Sequence, residues 1–165
     1  MDIFNEELLK LWRSLNDCAV RYIMVGEVAS CLHGYGRMTT NIEIWVDDNQ
    51  DNRESLRLAF KQCDMGDYYM LKTMQIVPGW TDFRLNNGLR IDIMIQMKGL
   101  EGYTFDESLK LADIAEIETV RIPFLQINQL IANKKAVNRP KDQTDVIFLE
   151  KIKRIQEEEG LPPAS

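Results

Sequence analysis

The sequence predicts a single-domain α/β protein in which strands and helices interleave and two helices close the chain. Three observations carry this expectation. The length of 165 residues matches one domain of the usual size, roughly 100–200 residues. Hydrophobic residues make up 45% of the chain and charged residues 28%, which supplies the apolar surface of an ordinary packed core. Short apolar or alternating runs of strand length are separated by longer amphipathic runs of helix length.

Ile3, Phe4, Leu8, Leu9, Leu11, Trp12 and Leu15 fall at helical spacing and predict an amphipathic helix over 3–15, ended by Asn16-Asp17. Tyr22-Ile23-Met24-Val25 is a short apolar run closed by Gly26, as in a buried strand. A short helix over 28–33 follows, broken by Gly34 and Gly36. Ile42, Ile44 and Val46 alternate with Asn41, Glu43 and Trp45, the period of a strand. Residues 47–52 form a polar loop in which Asp51 or Asn52 can cap a helix reaching about 62. A strand over 72–77 should end at Pro78-Gly79. Runs over 81–85 and 89–97 flank Asn86-Asn87-Gly88, and strands around an Asn-Gly pair signal a hairpin. Thr104-Phe105-Asp106-Glu107 opens a short helix with an acidic first turn. Residues 118–122 predict an edge strand, because Pro123 follows directly. Helices over 125–136 and 141–158 are separated by Arg139-Pro140. The domain is expected over 1–160, with 161–165 a frayed tail.

Composition excludes several roles. No run of about 18 apolar residues exists, so a membrane span is not expected. The acidic, amphipathic N-terminus does not read as a secretory signal. Cys18, Cys31 and Cys63 form an odd set without metal-type spacing and read as reduced, mostly buried thiols of a cytoplasmic protein. The net charge is −6, from 26 acidic against 20 basic residues, which disfavours generic DNA or RNA binding. Local cations late in the chain still allow a small anion to bind.

Chemistry concentrates in Val25-Gly26-Glu27-Val28-Ala29-Ser30-Cys31-Leu32-His33-Gly34, followed by Gly36-Arg37-Met38-Thr39-Thr40-Asn41-Ile42-Glu43-Ile44-Trp45-Val46. A strand, a glycine turn at a helix start and a polar strand are ordered in a way that suits a phosphate at the helix end. Asn41 and Glu43, two apart, project from one strand face. Carboxylates so placed can hold Mg²⁺, which takes one or two of them plus substrate phosphates. Asp92, in Arg90-Ile91-Asp92-Ile93, offers another carboxylate inside a β run, where burial without a partner is rare.

These motifs resemble the nucleotidyltransferase superfamily, especially its small bacterial minimal and abortive-infection-type members. Those carry a Gly-Gly or Gly-Ser turn, often a His-Gly and an Arg-x-Thr, then Asp-x-Asp on the next strand and a third Asp later. Lys134-Lys135 through Arg139-Pro140-Lys141-Asp142 and Asp145 is similar to the family's closing segment. The resemblance covers roughly residues 25–149. It implies a mixed twisted β-sheet flanked by helices, with C-terminal helices, and metal-dependent transfer of a nucleoside monophosphate from an NTP to a hydroxyl. The acceptor, whether small molecule, RNA or protein, is left undefined. By resemblance, Glu43 and Asp92 would hold Mg²⁺ with Asn41 as a weak neutral ligand, and Asp92 would activate the acceptor. Gly26, Glu27, Arg37, Thr39 and one of Lys135 or Lys141 would surround the phosphates.

Three positions depart from the family pattern. Asn41 stands for its first Asp, Glu43 for its second, and Glu27 for its second turn glycine. The first Asp of a two-metal site touches both ions, so Asn41 removes a charge, Glu43 lengthens an arm, and Glu27 adds a carboxylate beside the phosphates. A second reading is therefore a catalytically inactive member that binds a nucleotide or a protein. A third is an interaction module, half of a toxin–antitoxin-like pair or a homo-oligomer. Plain structural roles compete throughout: His33 near a turn, Asp142 capping the last helix, Trp45 and Trp80 in the core, and the late cations on a solvated helix end.

Overall fold

The computed structural model describes residues 5–36, 41–77 and 81–160. Its elements run α1 (Glu6–Asp17), β1 (Tyr22–Val25), α2 (Gly26–Leu32), β2 (Asn41–Val46), α3 (Gln50–Gln62), β3 (Asp82–Arg84), β4 (Arg90–Met94), α4 (Phe105–Leu111), β5 (Asp113–Ile117), β6 (Val120–Phe124), α5 (Ile127–Val137) and α6 (Pro140–Glu158). Six strands form one sheet in the order β3-β4-β2-β1-β6-β5. The sheet is mixed, as expected. β2 runs parallel to β4 and β1 parallel to β6, while the other pairs are antiparallel.

Period-two alternation splits the sheet into two unlike faces. Met24, Ile42, Ile44, Ile91 and Ile93 are fully buried on one of them. Trp12 donates its Nε1–H to Met24 Sδ at 3.2 Å, and Phe60 packs on Phe83 with ring centroids 5.1 Å apart, so α1 and α3 cover this face. Each large apolar side chain buried here contributes on the order of 1.5–3 kcal/mol. The opposite face carries Asn41, Glu43, Arg90 and Asp92, and it is the polar one. No helix among the described residues is long and apolar enough to cross a membrane.

Local signals explain most boundaries. Asn5 caps α1 by accepting the N–H groups of Glu7 and Leu8. Thr104 and Glu107 form a reciprocal capping box at α4. Pro140 opens α6, where its missing N–H is harmless.

Several expectations need correction. The cap of α3 is Asn49, whose side chain accepts from Asn52 N–H at 2.8 Å. The strand expected over 72–77 does not form: Tyr69–Lys72 is a 3₁₀ turn and 73–77 is irregular. Arg53 Nη1 donates to the carbonyls of Leu71 and Met74 at 2.9 and 2.6 Å, and Thr81 Oγ1 bonds both the N–H and the carbonyl of Val77. Side chains thus take backbone groups that a sheet partner would need. The strand expected at an edge over 118–122 is β6, two residues later and between β1 and β5. Pro123 is tolerated there because β6 meets β1 through the single register pair Met24↔Phe124. The edge on this side of the sheet is β5. Of the cysteines, Cys63 is buried, whereas Cys18 and Cys31 are half-buried. The expected turn Pro78-Gly79, Trp80 and the tail 161–165 lie outside the described residues.

Candidate functional site

At its C-terminal end β1 passes into α2 through Gly26, beside the middle of β2. The end of α5 and the start of α6 face this point and leave a cleft of about 260 Å³. Gly26, Glu27 and Glu43 line it from the sheet side, and Lys134, Arg139, Lys141 and Asp142 from the helices. Lys98 joins from the loop after β4.

Position 26 favours glycine. Its φ is +64°, and a Cβ there would overlap the Glu43 carboxylate. The carboxyl of Glu43 is therefore packed against the very turn that the sequence assigns to a phosphate. Burial pushes this carboxyl above its usual range, and the charge of Asp92 adds to the effect. Lys134, Lys141 and Arg139 pull it back without reversing the shift.

Register brings the predicted polar residues together. In the parallel pair β2–β4, Asn41 stands beside Arg90 and Glu43 beside Asp92. Asp92 is 4% exposed. Both its oxygens accept from Arg90, Nε to Oδ1 and Nη2 to Oδ2, each at 2.9 Å. Such a bidentate pair is stronger and more directional than a single-point contact.

The cations on the far wall are held by acids of α6. Lys134 is buried, with Nζ 2.8 Å from Asp145 and 4.0 Å from Asp142. Asp142, at the third position of α6, accepts Arg139 N–H at 3.0 Å and Arg139 Nε–H at 2.7 Å. Burial works to raise the Asp142 carboxyl, but Arg139 and Lys134 together hold it below the ordinary carboxylate range. The capping role read for Asp142 is thus present. Lys141 reaches Glu27 at 3.4 Å with half its side chain in solvent.

Of the sequence-predicted site residues, Gly26, Glu27, Glu43 and Lys141 line the cleft, and Asp92 and Asn41 adjoin Glu43 on the same sheet face. Lys135 points elsewhere and pairs with Glu150 at 2.8 Å. Arg37 and Thr39 lie outside the described residues. Trp45, 3% exposed, packs edge-on to Phe105 as a core residue. His33 is buried and donates Nε2–H to the Leu125 carbonyl at 2.7 Å, which ties α2 to the end of β6. Burial lowers its pKa, against the opposing hydrogen bond to Leu125, and so disfavours the charged form.

Lys134, expected with the other late cations on a solvated helix end, is instead buried, and Arg90 has no place among the expected site residues, though signals for both exist. Lys134 continues the buried helical stripe of Ile127, Leu130 and Ile131, which Lys135 does not. Arg90 lies two residues before Asp92 and so shares its face.

Mg²⁺ favours near-octahedral oxygen ligands with free carboxylates. Here Asn41 is neutral, Asp92 has both oxygens engaged by a guanidinium, and Glu43 is shifted toward its protonated form. Among the described residues no group of three or more His, Cys, Asp or Glu side chains could hold a metal ion. The residues present do not fit the metal that the sequence resemblance implies.

No protein-family profile matches the sequence, and no curated protein matches it. Solved structures do. A protein of Thermotoga maritima taken to be a nucleotidyltransferase superposes with a TM-score of 0.55 at 16% identity, covering 92% of this chain and 91% of its own. An antigenic nucleotidyltransferase-like protein of Paracoccidioides brasiliensis gives a TM-score of 0.50 at 12% identity, covering 88% of this chain and 72% of its own. The fold is nucleotidyltransferase-like.

Proposed function

We propose that this chain binds a nucleotide through its phosphates in the cleft between β1, β2 and the C-terminal helices, and that it does not transfer the nucleotidyl group. One observation carries the reading. In a chain of net charge −6, the cleft lining holds four cations (Lys98, Lys134, Arg139 and Lys141) against three carboxylates (Glu27, Glu43 and Asp142). Burial moves one of those carboxyls, that of Glu43, toward neutrality. Asp145, behind the lining, offsets Lys134, so the cationic character rests on Lys98, the exposed Lys141 and the weakened charge of Glu43, which favours an anion.

Lys141 is the exchangeable contact. Its pair with Glu27 is long and solvent-exposed, so little is lost when a phosphate replaces the carboxylate. Arg139 stands beside it at the α6 start with half its side chain exposed. The cleft volume of about 260 Å³ is just below the usual ligand-pocket range of roughly 300–1,000 Å³. It suits the phosphates, with base and sugar along open surface. The unfit donor set argues against metal-dependent transfer.

Calorimetric titration with ATP, GTP, CTP and UTP, with Mg²⁺ and with EDTA, tests the reading. The expected result is binding of at least one nucleotide to a similar degree in both conditions, weakened about tenfold or more, roughly 1.4 kcal/mol, by Lys141→Glu. Binding that requires Mg²⁺ and leads to turnover would replace it with the transfer reaction. No binding at millimolar nucleotide would leave only the protein-interaction reading.

A further inference from the structure

We infer that Arg90 is the resident cation of this site: it occupies both oxygens of Asp92, the middle carboxylate of a row across the central strands, and keeps a divalent metal out. The register supplies the row. Asp82 on β3 stands opposite Asp92 on β4, and Asp92 stands beside Glu43 on β2. Residues so aligned project from one sheet face with Cβ atoms about 4.5–5.5 Å apart, and like charges at that spacing repel. The neighbouring rung reads Arg84, Arg90, Asn41. An acidic rung is thus flanked by a rung with two arginines.

Arg90 is the central member and grips Asp92 directly. It donates two hydrogen bonds to Asp92, and the charges of Asp82 and Glu43 add smaller attractions to the same guanidinium. Arg84 lies 3.9 Å from Asp82 and also donates to the Gly88 carbonyl. A divalent ion would have to win Asp92 from a bidentate partner that is always charged and covalently present. Asn41, in the arginine rung, offers such an ion a neutral oxygen only.

The consequence is a latent cation site under the control of one side chain. Without the guanidinium, both oxygens of Asp92 are released beside Glu43, and one or two carboxylates are what a hard divalent cation such as Mg²⁺ takes from a protein. This inference deepens the reading of the cleft as one that works without metal and rests on it. Its test reads cation binding alone, so a failure of nucleotide to bind would leave it standing.

The experiment is titration of Mn²⁺ into the full-length chain, followed by calorimetry and by loss of the free-ion paramagnetic resonance signal. The wild type should take up no Mn²⁺ at sub-millimolar concentration. Arg90→Gln should gain binding at least tenfold tighter than wild type, and adding Asp92→Asn should abolish the gain. Wild-type binding as tight as that of the variant overturns the inference, and so does a folded Arg90→Gln protein that gains none. Should Arg90→Gln fail to fold, Arg90→Lys keeps the charge but loses the bidentate grip. A gain of Mn²⁺ binding there supports the inference, and no gain overturns it.

Discussion

Asp113 opens β5, one of the two edges of the sheet, yet burial alone pushes its carboxyl up to about 6. A carboxyl raised in the folded state binds its proton more tightly there than in the unfolded chain. Its contribution is fully present below the ordinary value near 4 and is lost as the pH rises toward 6. The fold therefore bears an ionisation cost at neutral pH. Asp113→Asn should raise the thermal midpoint at pH 7.5 and change it much less at pH 5, as scanning calorimetry at both values would show. An equal shift at both would mean that the carboxylate ionises freely. His33 has the opposite sign: burial lowers its pKa, so stability present above about 6.5 declines as the pH falls. Position 33 was open to a catalytic or a structural reading in the sequence; the Leu125 carbonyl at 2.7 Å decides for the structural one.

At the scale of elements, the loop after β4 is pressed directly onto α5. Gly99 has φ +87°, and a Cβ there would lie 2.7 Å from the Ala132 carbonyl oxygen and 2.8 Å from Ala136 Cβ. Helix backbone cannot yield as a side chain can. Gly99→Ala is expected to cost about 2–4 kcal/mol, combining left-handed strain with overpacking. Gly102→Ala, with open space at its Cβ, should stay within about 0.5 kcal/mol. Urea denaturation of the two variants side by side checks the contrast, and similar values for both would show that the loop gives way. The two hairpins of the sheet differ in how they could be read. Asn86-Asn87-Gly88 announced β3–β4, with Gly88 at φ +87°. The β5–β6 hairpin turns on Glu118 and Thr119, both at positive φ (47° and 70°), residue types that rarely adopt it. Its first strand therefore went unread.

For the molecule as a whole, Lys134 is the clasp between the C-terminal helices and the cleft. It is buried with Asp142 and Asp145, the two acids of α6 that it faces. Removing one partner of a buried ion pair leaves an uncompensated charge, so Lys134→Met should cost about 3–5 kcal/mol. Lys135→Met removes only a solvent-exposed pair with Glu150 and should leave stability nearly unchanged. Thermal unfolding of both variants provides the check, and equal losses would contradict the clasp. The sequence by itself determined the α/β class, five of the six strands in outline, the helix spans and the cap at Asp142, because periodicity, turn residues and caps are local properties. It also placed Asn41, Glu43 and Asp92 at one candidate site through a resemblance carried by motif order. Which partners those residues meet was decided only by tertiary structure. Arg90 reaches Asp92 within its own strand, but only the register of β2, β3 and β4 sets Glu43 and Asp82 around it. Likewise, only the packing of α6 turns Lys134, rather than Lys135, onto buried acids. Charge partners depend on distances between segments far apart in the chain, and no local pattern encodes those distances.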